Sequence, residues 1–424
     1  MFRMLFIATI AFSALAQDAA PARFLIERIE VRNAHRVSPE LVISETLLRE
    51  GGEYSEEELS AASARLSRLP FLVSADFALE KGSDRGRHVL VINVAETKPF
   101  FFLVDARPIL HEDDGPSRFE YADDDLGSQS KDAALGFRWF AGRRGIVHVG
   151  VISRNARHAF MSDYSALAVG YTQYDLFGTR AFATVNIRLP FGRSPKGTVS
   201  PEVVAGIPLT TNQTLTLEYE DTHFRNDTQR ILDTDIPRRD AERVLSFTWT
   251  YNSTNDPFAP TRGTIVRISP LRAMRDRSSF RFSGPIPGAV PVPYANHING
   301  NGIDLLASRY WELSERNALS AGVLAGWANV SDESTATRGI DDVHWRPAYQ
   351  VLRAGYSRNL WDGDSKNGDS RLELDVRVVA RQLNFEHRIG YGQDEQNALQ
   401  GAVSWVRRSA WGMLRLGAGY AWGY

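Results

Sequence analysis

The chain has 424 residues, 43% of them hydrophobic, 11% aromatic and 24% charged, with 33 Gly, 19 Pro and no Cys. That content excludes a disordered or low-complexity chain, and a net charge of −2 leaves no global field to draw nucleic acid or an acidic partner. Without Cys there are no disulfides, thiolate zinc sites or Cys nucleophiles, so an exported chain of this sequence folds without covalent staples.

Residues 1–16 read as a signal peptide. Arg3 supplies the charged start, an apolar run extends from Met4 to Ala14, and Ala14-Leu15-Ala16 offers a small-x-small cleavage site before Gln17. The run falls short of the roughly 20 apolar residues a spanning helix needs. After a short linker at 17–22, residues 23–97 carry the pattern of a small α+β domain of order β-α-α-β-β. A strand is expected from Phe24 to Val31. Ser38-Pro39 then opens a helix, with Ser as N-cap and Pro in the first turn, and Gly51-Gly52 is expected to end it. A second helix starts at Ser55, where Glu58 completes a capping box, and Pro70 stops it. Two strands, Val73 to Leu79 and Val89 to Ala95, close the unit around a turn at Gly82-Ser83-Asp84.

From residue 98 to 424 the helical periodicity gives way to segments of alternating apolar and polar residues, separated by Gly, Pro, Asn and Asp clusters. Four are clear: Ala181 to Leu189, Leu245 to Tyr251, Leu372 to Val378 and Leu414 to Tyr424. A soluble β-sandwich also alternates. Here, however, charges lie deep inside the polar faces and aromatics sit near segment ends, as a wet lumen and an interfacial girdle would place them. Since no later stretch could span as a helix, a membrane form must be a closed β-barrel. At about 20 residues per strand and connection, 99–424 allow on the order of sixteen antiparallel strands, an even number as single-chain bacterial barrels have. Such a barrel is wide enough for an aqueous interior. Long outer connections are expected at Asn226 to Arg243, Arg275 to Asn301 and Asn329 to Pro347.

These features together resemble the BamA/TamA outer-membrane assembly family, the POTRA-plus-barrel superfamily of bacterial surface antigens. Residues 23–97 look like one POTRA domain, including Gly52-Glu53-Tyr54-Ser55 between its helices and Leu69-Pro70-Phe71 before its second strand. Asp175-Leu-Phe-Gly-Thr-Arg180 looks like the family's strand-opening turn. Asn255-Asp-Pro-Phe-Ala-Pro-Thr-Arg-Gly263 is the most specific stretch; its Asp256, Pro257, Pro260 and Gly263 suit a tight periplasmic turn. The resemblance also implies a long outer loop whose Val-Arg-Gly-aromatic tip folds into the lumen, its Arg held by a wall carboxylate. Thr337-Arg338-Gly339-Ile340 is the best match, with Thr for Val and Ile for the aromatic. Leu352-Arg353-Ala354-Gly355-Tyr356 is the rival and reads better as strand. At the C-terminal end, Gly417, Gly419, Trp422 and Tyr424 stand where outer-membrane proteins carry their insertion signal, with Gly in place of the leading polar residue.

No Gly-x-Ser-x-Gly elbow, His-Glu-x-x-His helix or Gly-Lys-Ser/Thr phosphate loop occurs. Asp123-Asp124-Asp125 lacks a calcium-loop pattern, so it reads as a solvated connection. The expectation is a non-enzyme with no cofactor and no metal. The resemblance implies location in the bacterial outer membrane, with the POTRA domain in the periplasm. Its expected partners are the lipid bilayer, unfolded outer-membrane or secreted client proteins, and accessory periplasmic or lipoprotein subunits, with no nucleic acid. Assembly or insertion of other proteins is the leading function. A dedicated secretion pore of the two-partner type and a passive porin are the rivals.

Overall fold

The computed structural model describes residues 22–107, 130–155, 164–191, 199–231, 234–256, 260–283, 290–334, 343–361, 370–387 and 390–423. The expected signal peptide, nearly all of the linker, Thr337 to Ile340, Pro257 and Tyr424 lie outside these residues.

The N-terminal unit contains β1 (Arg23–Arg32), α1 (Pro39–Thr46), β2 (Glu53–Ser55), α2 (Glu56–Ser67), β3 (Leu72–Lys81) and β4 (Arg87–Glu96). Its sheet has the order β2-β1-β4-β3, with β1 and β4 parallel. The expected order β-α-α-β-β is corrected by β2, a three-residue strand that pairs antiparallel with the start of β1. So short a strand carries no readable alternation. Both helix starts form as the sequence predicts. The Ser38 hydroxyl accepts from the Leu41 N–H, and Ser55 and Glu58 satisfy each other's backbone in a capping box. The first helix ends earlier than Gly51. Thr46 Oγ1 donates to Ile43 O at 2.7 Å and accepts from Leu48 N–H at 3.1 Å, which satisfies the backbone without another helical turn. Leu47 then turns left-handed with φ 62. The apolar faces of α1 and α2 meet the sheet over a core of Ile26, Leu41, Leu66, Leu90 and Ile92.

Glu96, at the end of β4, fixes the segment that enters α1. Its carboxylate accepts from the backbone N–H groups of His35, Arg36 and Val37 at 2.8 to 3.0 Å and from Arg36 Nε at 3.0 Å. Burial pushes this carboxyl up, but the three N–H donors and the guanidinium outweigh it and hold it below the ordinary carboxylate range. A depressed folded pKa contributes stability above the unfolded pKa, and that stability is lost as pH falls through the folded value. Glu96→Gln should therefore loosen the unit by about 2 kcal/mol at neutral pH and by little once the wild-type group is protonated. Amide exchange at residues 35–37, followed against pH, checks this: equal protection in both proteins at neutral pH would refute it.

Beyond Pro99 the chain forms a barrel from β5 (Phe100–Arg107), β6 (Ser130–Ala141), β7 (Gly145–Asn155), β8 (Tyr164–Leu176), β9 (Ala181–Phe191), β10 (Ser200–Thr210), β11 (Gln213–Ile231), β12 (Thr234–Asn252), β13 (Gly263–Ser283), β14 (Val290–Ser314), β15 (Asn317–Ser334), β16 (Val343–Trp361), β17 (Ser370–His387), β18 (Gly390–Ser409) and β19 (Gly412–Gly423). The ring is closed and has fifteen strands, which corrects the expected sixteen. Neighbours in sequence pair antiparallel, so in an odd-numbered ring the first and last strands point the same way. The closing pair, β19 with β5, is accordingly parallel.

The miscount has a physical origin. The stretches 226–243, 275–301 and 329–347, expected to be loops, are mostly the ends of the long hairpins β11–β12, β13–β14 and β15–β16. Strands of 18 to 25 residues exceed the roughly 9–11 that cross a bilayer. Alternation is enforced only where one face meets apolar surroundings, so it fades where strands run on beyond them. Within the clear segments the alternation is realised. Val185, Ile187, Leu189, Leu245, Phe247, Leu372, Leu374 and Val376 all lie exposed on the outer surface. No helix among the described residues is long and apolar enough to cross a membrane.

Closure pairs the barrel strands edge to edge, and breaking such a ring opens many backbone bonds together. Detergent-purified protein should give a β-type circular dichroism spectrum and resist SDS until heated, with a shift in gel mobility. A helical spectrum, or full recovery in a soluble fraction without detergent, would contradict the barrel.

Candidate functional site

Three features of the barrel bear on function: a junction docked to the N-terminal unit, a short closing pair and an inner wall of paired charges.

The junction is built on Leu69-Pro70-Phe71. Pro70 ends α2 and delivers Phe71 into the barrel mouth, where it is 1% exposed. Its ring meets Phe140 of β6 and Tyr174 of β8 edge-on, with centroids 5.7 and 5.5 Å apart. Ile146 and Tyr174 of the barrel belong to the same buried core as Ile26 and Leu66, so one apolar cluster runs from the N-terminal unit into the wall. A buried Phe is worth about 1.5–3 kcal/mol and each aromatic pair a further 0.5–1.5. Arg138 of β6 donates to the Pro70 carbonyl and stacks over Phe101 at 4.8 Å. On the other flank Arg65 donates to the Glu45 carboxylate at 2.7 Å, a pair almost wholly buried. Burial pushes the Glu45 carboxyl up, although the Arg65 guanidinium opposes it. Burial, together with neighbouring Arg65, pulls the Arg68 guanidinium down to about 10. Arg68 Nη2 donates to the Thr254 carbonyl in the β12–β13 connection at 3.0 Å.

The expected strand-opening turn at Asp175 to Arg180 joins β8 to β9. Asp175, Phe177 and Arg180 take positive φ, and Asp175 Oδ1 accepts from the Arg180 N–H at 3.2 Å. Arg144 of the neighbouring turn pairs with the same carboxylate.

The closing pair is short. Five residue pairs join β19 to β5, from Gly412 with Phe102 to Leu416 with Ala106. Around it, the Ala410 carbonyl accepts from Lys98 N–H at 2.8 Å and the Trp411 carbonyl from Phe102 N–H at 2.9 Å. Gly412 is required here. Its φ is +148, and a Cβ would fall on the Phe102 carbonyl oxygen. Gly417 and Gly419, which the sequence places in the insertion signal, lie just past the paired segment. There β19 pairs with β18, and among the described residues it has no partner on its β5 side. Trp422 is 63% exposed on the outer face.

Charged side chains line the inner wall in two places. On β9–β11, Arg188 bridges Glu202 at 2.6 Å and Glu220 at 3.1 Å, with Asn186 donating to Glu202 at 3.2 Å. On β16–β19, Asp375 lies between Arg353 at 3.1 Å and Arg377 at 3.0 Å, while Glu373 lies between Arg371 and Arg415, each at 3.5 Å. Arg353, the rival loop arginine, is thus a strand residue of β16, paired to the neighbouring strand. Arg338 lies outside the described residues. Charged groups as buried as Arg377, 2% exposed, persist only when paired, so these networks stiffen the wall. Among the described residues no group of three His, Cys, Asp or Glu could hold a metal ion.

The β12–β13 connection differs from the tight turn expected of it. Ten residues separate Asn252 from Gly263, and the described ones, 253–256 and 260–262, form a closed neck. The Asn255 side chain accepts from Thr261 and Arg262 N–H at 3.1 and 3.2 Å and donates to Thr261 Oγ1 at 2.9 Å. Gly263 leaves the neck at φ +108, where a Cβ would strike the Ser253 carbonyl. Asn255 opens the motif singled out in the sequence, but its side-chain bonds were not legible there. Nor were the roles of Phe71, Arg68 and Tyr174, because each depends on a partner from a distant element.

No family model matches the chain, and no curated protein matches it. Among solved structures it is similar to BamA from Haemophilus ducreyi lacking POTRA domains 1–3, at 12% identity and TM-score 0.39, covering 94% of this chain and 85% of that one. It is also similar to CdiB from Acinetobacter baumannii, at 9% identity and TM-score 0.38, covering 94% and 74%. A third is OmpT, an outer membrane protein of Vibrio cholerae, at 8% identity and TM-score 0.35, covering 78% and 97%. The barrel architecture rests on the strand pairing itself.

Proposed function

We propose that the protein is an outer-membrane barrel that assists insertion or translocation of other polypeptides, with its N-terminal unit a single POTRA domain in the periplasm. The observation that carries this reading is the position of the barrel's shortest strand pairing among the described residues. The five-pair closing seam lies directly beside the docked N-terminal unit, through Lys98, Ala410 and Trp411. The exposed apolar residues on the outer face suit contact with lipid.

In the N-terminal sheet β2 and β3 form the edges, and β3, with ten residues, is the one long enough to hold an extended client segment. Backbone pairing on such an edge gives affinity without sequence demand. β3 begins at Leu72, immediately after the buried Phe71, so a client bound there is held close to the barrel. An opened seam would then expose the edges of β5 and β19 for client pairing. The buried charge networks and docked junction argue against a passive porin, whose lumen should be open and wet.

Depletion of the protein followed by comparison of the outer-membrane proteome tests the reading. A broad fall in barrel proteins is expected. Loss of one secreted partner alone would favour the dedicated secretion pore, and no change would remove both.

A further inference from the structure

Three arginines share one side of the barrel's outer face. Arg309 of β14, Arg358 of β16 and Arg407 of β18 each lie within the last six residues of their strands, and each is exposed. Strand alternation places them on the apolar outside. Arg309 shares its face with Leu305 and Trp311, Arg358 with Leu352 and Leu360, and Arg407 with Leu399 and Val403, all exposed. The alternate residues Ser308, Ser357 and Val406 are buried on the inner side. β14, β16 and β18 run in one direction, so the three arginines approach the same mouth. It is the mouth that meets the N-terminal unit, because Arg408 at the end of β18 donates through Nη2 to the Val73 carbonyl at 2.5 Å. The matching ends of β5 to β13 put no Lys or Arg on the outer face, so the basic patch is confined to one side.

Among the described residues none of the three guanidiniums forms an ion pair, and Arg309 donates only to Thr264 Oγ1 at 3.1 Å. Glu312 and Glu315, exposed at the β14–β15 turn, pair with none of them. At the opposite end of the barrel, by contrast, the outer-face Arg243 is answered by Asp221 and Asp276 at 3.7 and 3.8 Å. Trp311 and Trp411, 45% and 48% exposed, stand at the same mouth as the patch, and Lys98 Nζ lies 6.0 Å from the Trp411 ring. Exposed Trp marks the headgroup level of a bilayer. The guanidiniums therefore stand at the depth of the lipid phosphates, whose geometry the planar fork of Arg matches. We infer that Arg309, Arg358 and Arg407 bind the anionic phospholipid headgroups of the leaflet on the side of the N-terminal unit, and so gather anionic lipid beside the closing strands. This inference rests on the proposed membrane location of the barrel and is independent of any action on clients.

Fluorescence quenching in lipid vesicles tests it on the full chain. With no native Cys, Leu319→Cys can be labelled alone with a small fluorophore. Leu319 is exposed on the outer face of β15, opposite Trp311 on one flank and Tyr356 on the other. Leu209→Cys on β10, 49% exposed and away from the patch, is the control site. The vesicles are phosphatidylcholine doped with spin-labelled phosphatidylglycerol or spin-labelled phosphatidylcholine. The Leu319→Cys label should reach half quenching at a mole fraction at least about fivefold lower for the anionic lipid, the effect of one guanidinium near an anionic surface. The Leu209→Cys label should show no preference. Arg309→Gln/Arg358→Gln/Arg407→Gln, added to the Leu319→Cys chain and shown by heat-shifted mobility to be folded, should remove the preference. About 1 M salt, which screens exposed charges, should reduce it without any substitution. Equal quenching by both lipids at the first label, the same preference at both labels, or a preference that survives the triple variant would each overturn the patch. No quenching by either lipid at either label would overturn the membrane location and this inference with it.

Discussion

Leu103→Cys/Met413→Cys, once oxidised, should reduce client insertion to background while leaving the barrel folded and its conductance unchanged. These residues face each other in the parallel register of β5 and β19. Directly opposed residues on paired strands lie about 5 Å apart, inside the roughly 4.4–6.8 Å Cα range a disulfide spans. The pair is the second of the five that join the two strands, so it locks the barrel's shortest pairing among the described residues. The chain offers no competing thiol. Reductant should restore activity, which separates locking from misfolding. Client insertion at the normal rate through a fully formed disulfide would remove the seam from the mechanism.

The second large effect falls on Gly412. With φ at +148 and no room for a Cβ against the Phe102 carbonyl, Gly412→Val must either distort β5 or break the closing pair. Backbone strain of this kind costs about 1–3 kcal/mol by itself, and the steric overlap adds to it. A loss of at least about 3 kcal/mol is expected, read as a lower temperature for losing the SDS-resistant form. Gly401→Ala on β18 is the control, because nothing lies within 4 Å of a Cβ built there. Comparable loss in both variants would show that β18–β19 is generally fragile and that closure does not depend on Gly412.

How legible these features were in the sequence follows from the range of the interactions that cause them. The capping box of Ser55 and Glu58 and the Ser38 cap are local, and both form as read. The alternation of Leu372, Leu374 and Val376 with Glu373, Asp375 and Arg377 is enforced by an apolar outside and a polar inside, and it identified β17 correctly. Where strands extend past that boundary, as β14 does over 25 residues, the pattern dissolves and the stretch was read as loop. That error carried into the strand count. The motif at Asn255 to Gly263 was recognisable, but the side chains that hold its described residues and Thr254 were not. Its partners Arg68, Arg371 and Arg408 are contributed by three separate elements. Arg353 was rightly placed on a strand. Its pairing with Asp375 became visible only with the register of β16 against β17.

Reconstitution tests most directly the proposal that this barrel assists insertion of other barrels into lipid. Liposomes with and without the full chain would receive a urea-unfolded outer-membrane barrel protein, and the growth of its SDS-resistant form would be followed with time. An insertion rate at least about tenfold higher with the protein present is expected, abolished by the oxidised Leu103→Cys/Met413→Cys pair and restored by reductant. Equal rates with and without the protein would contradict it.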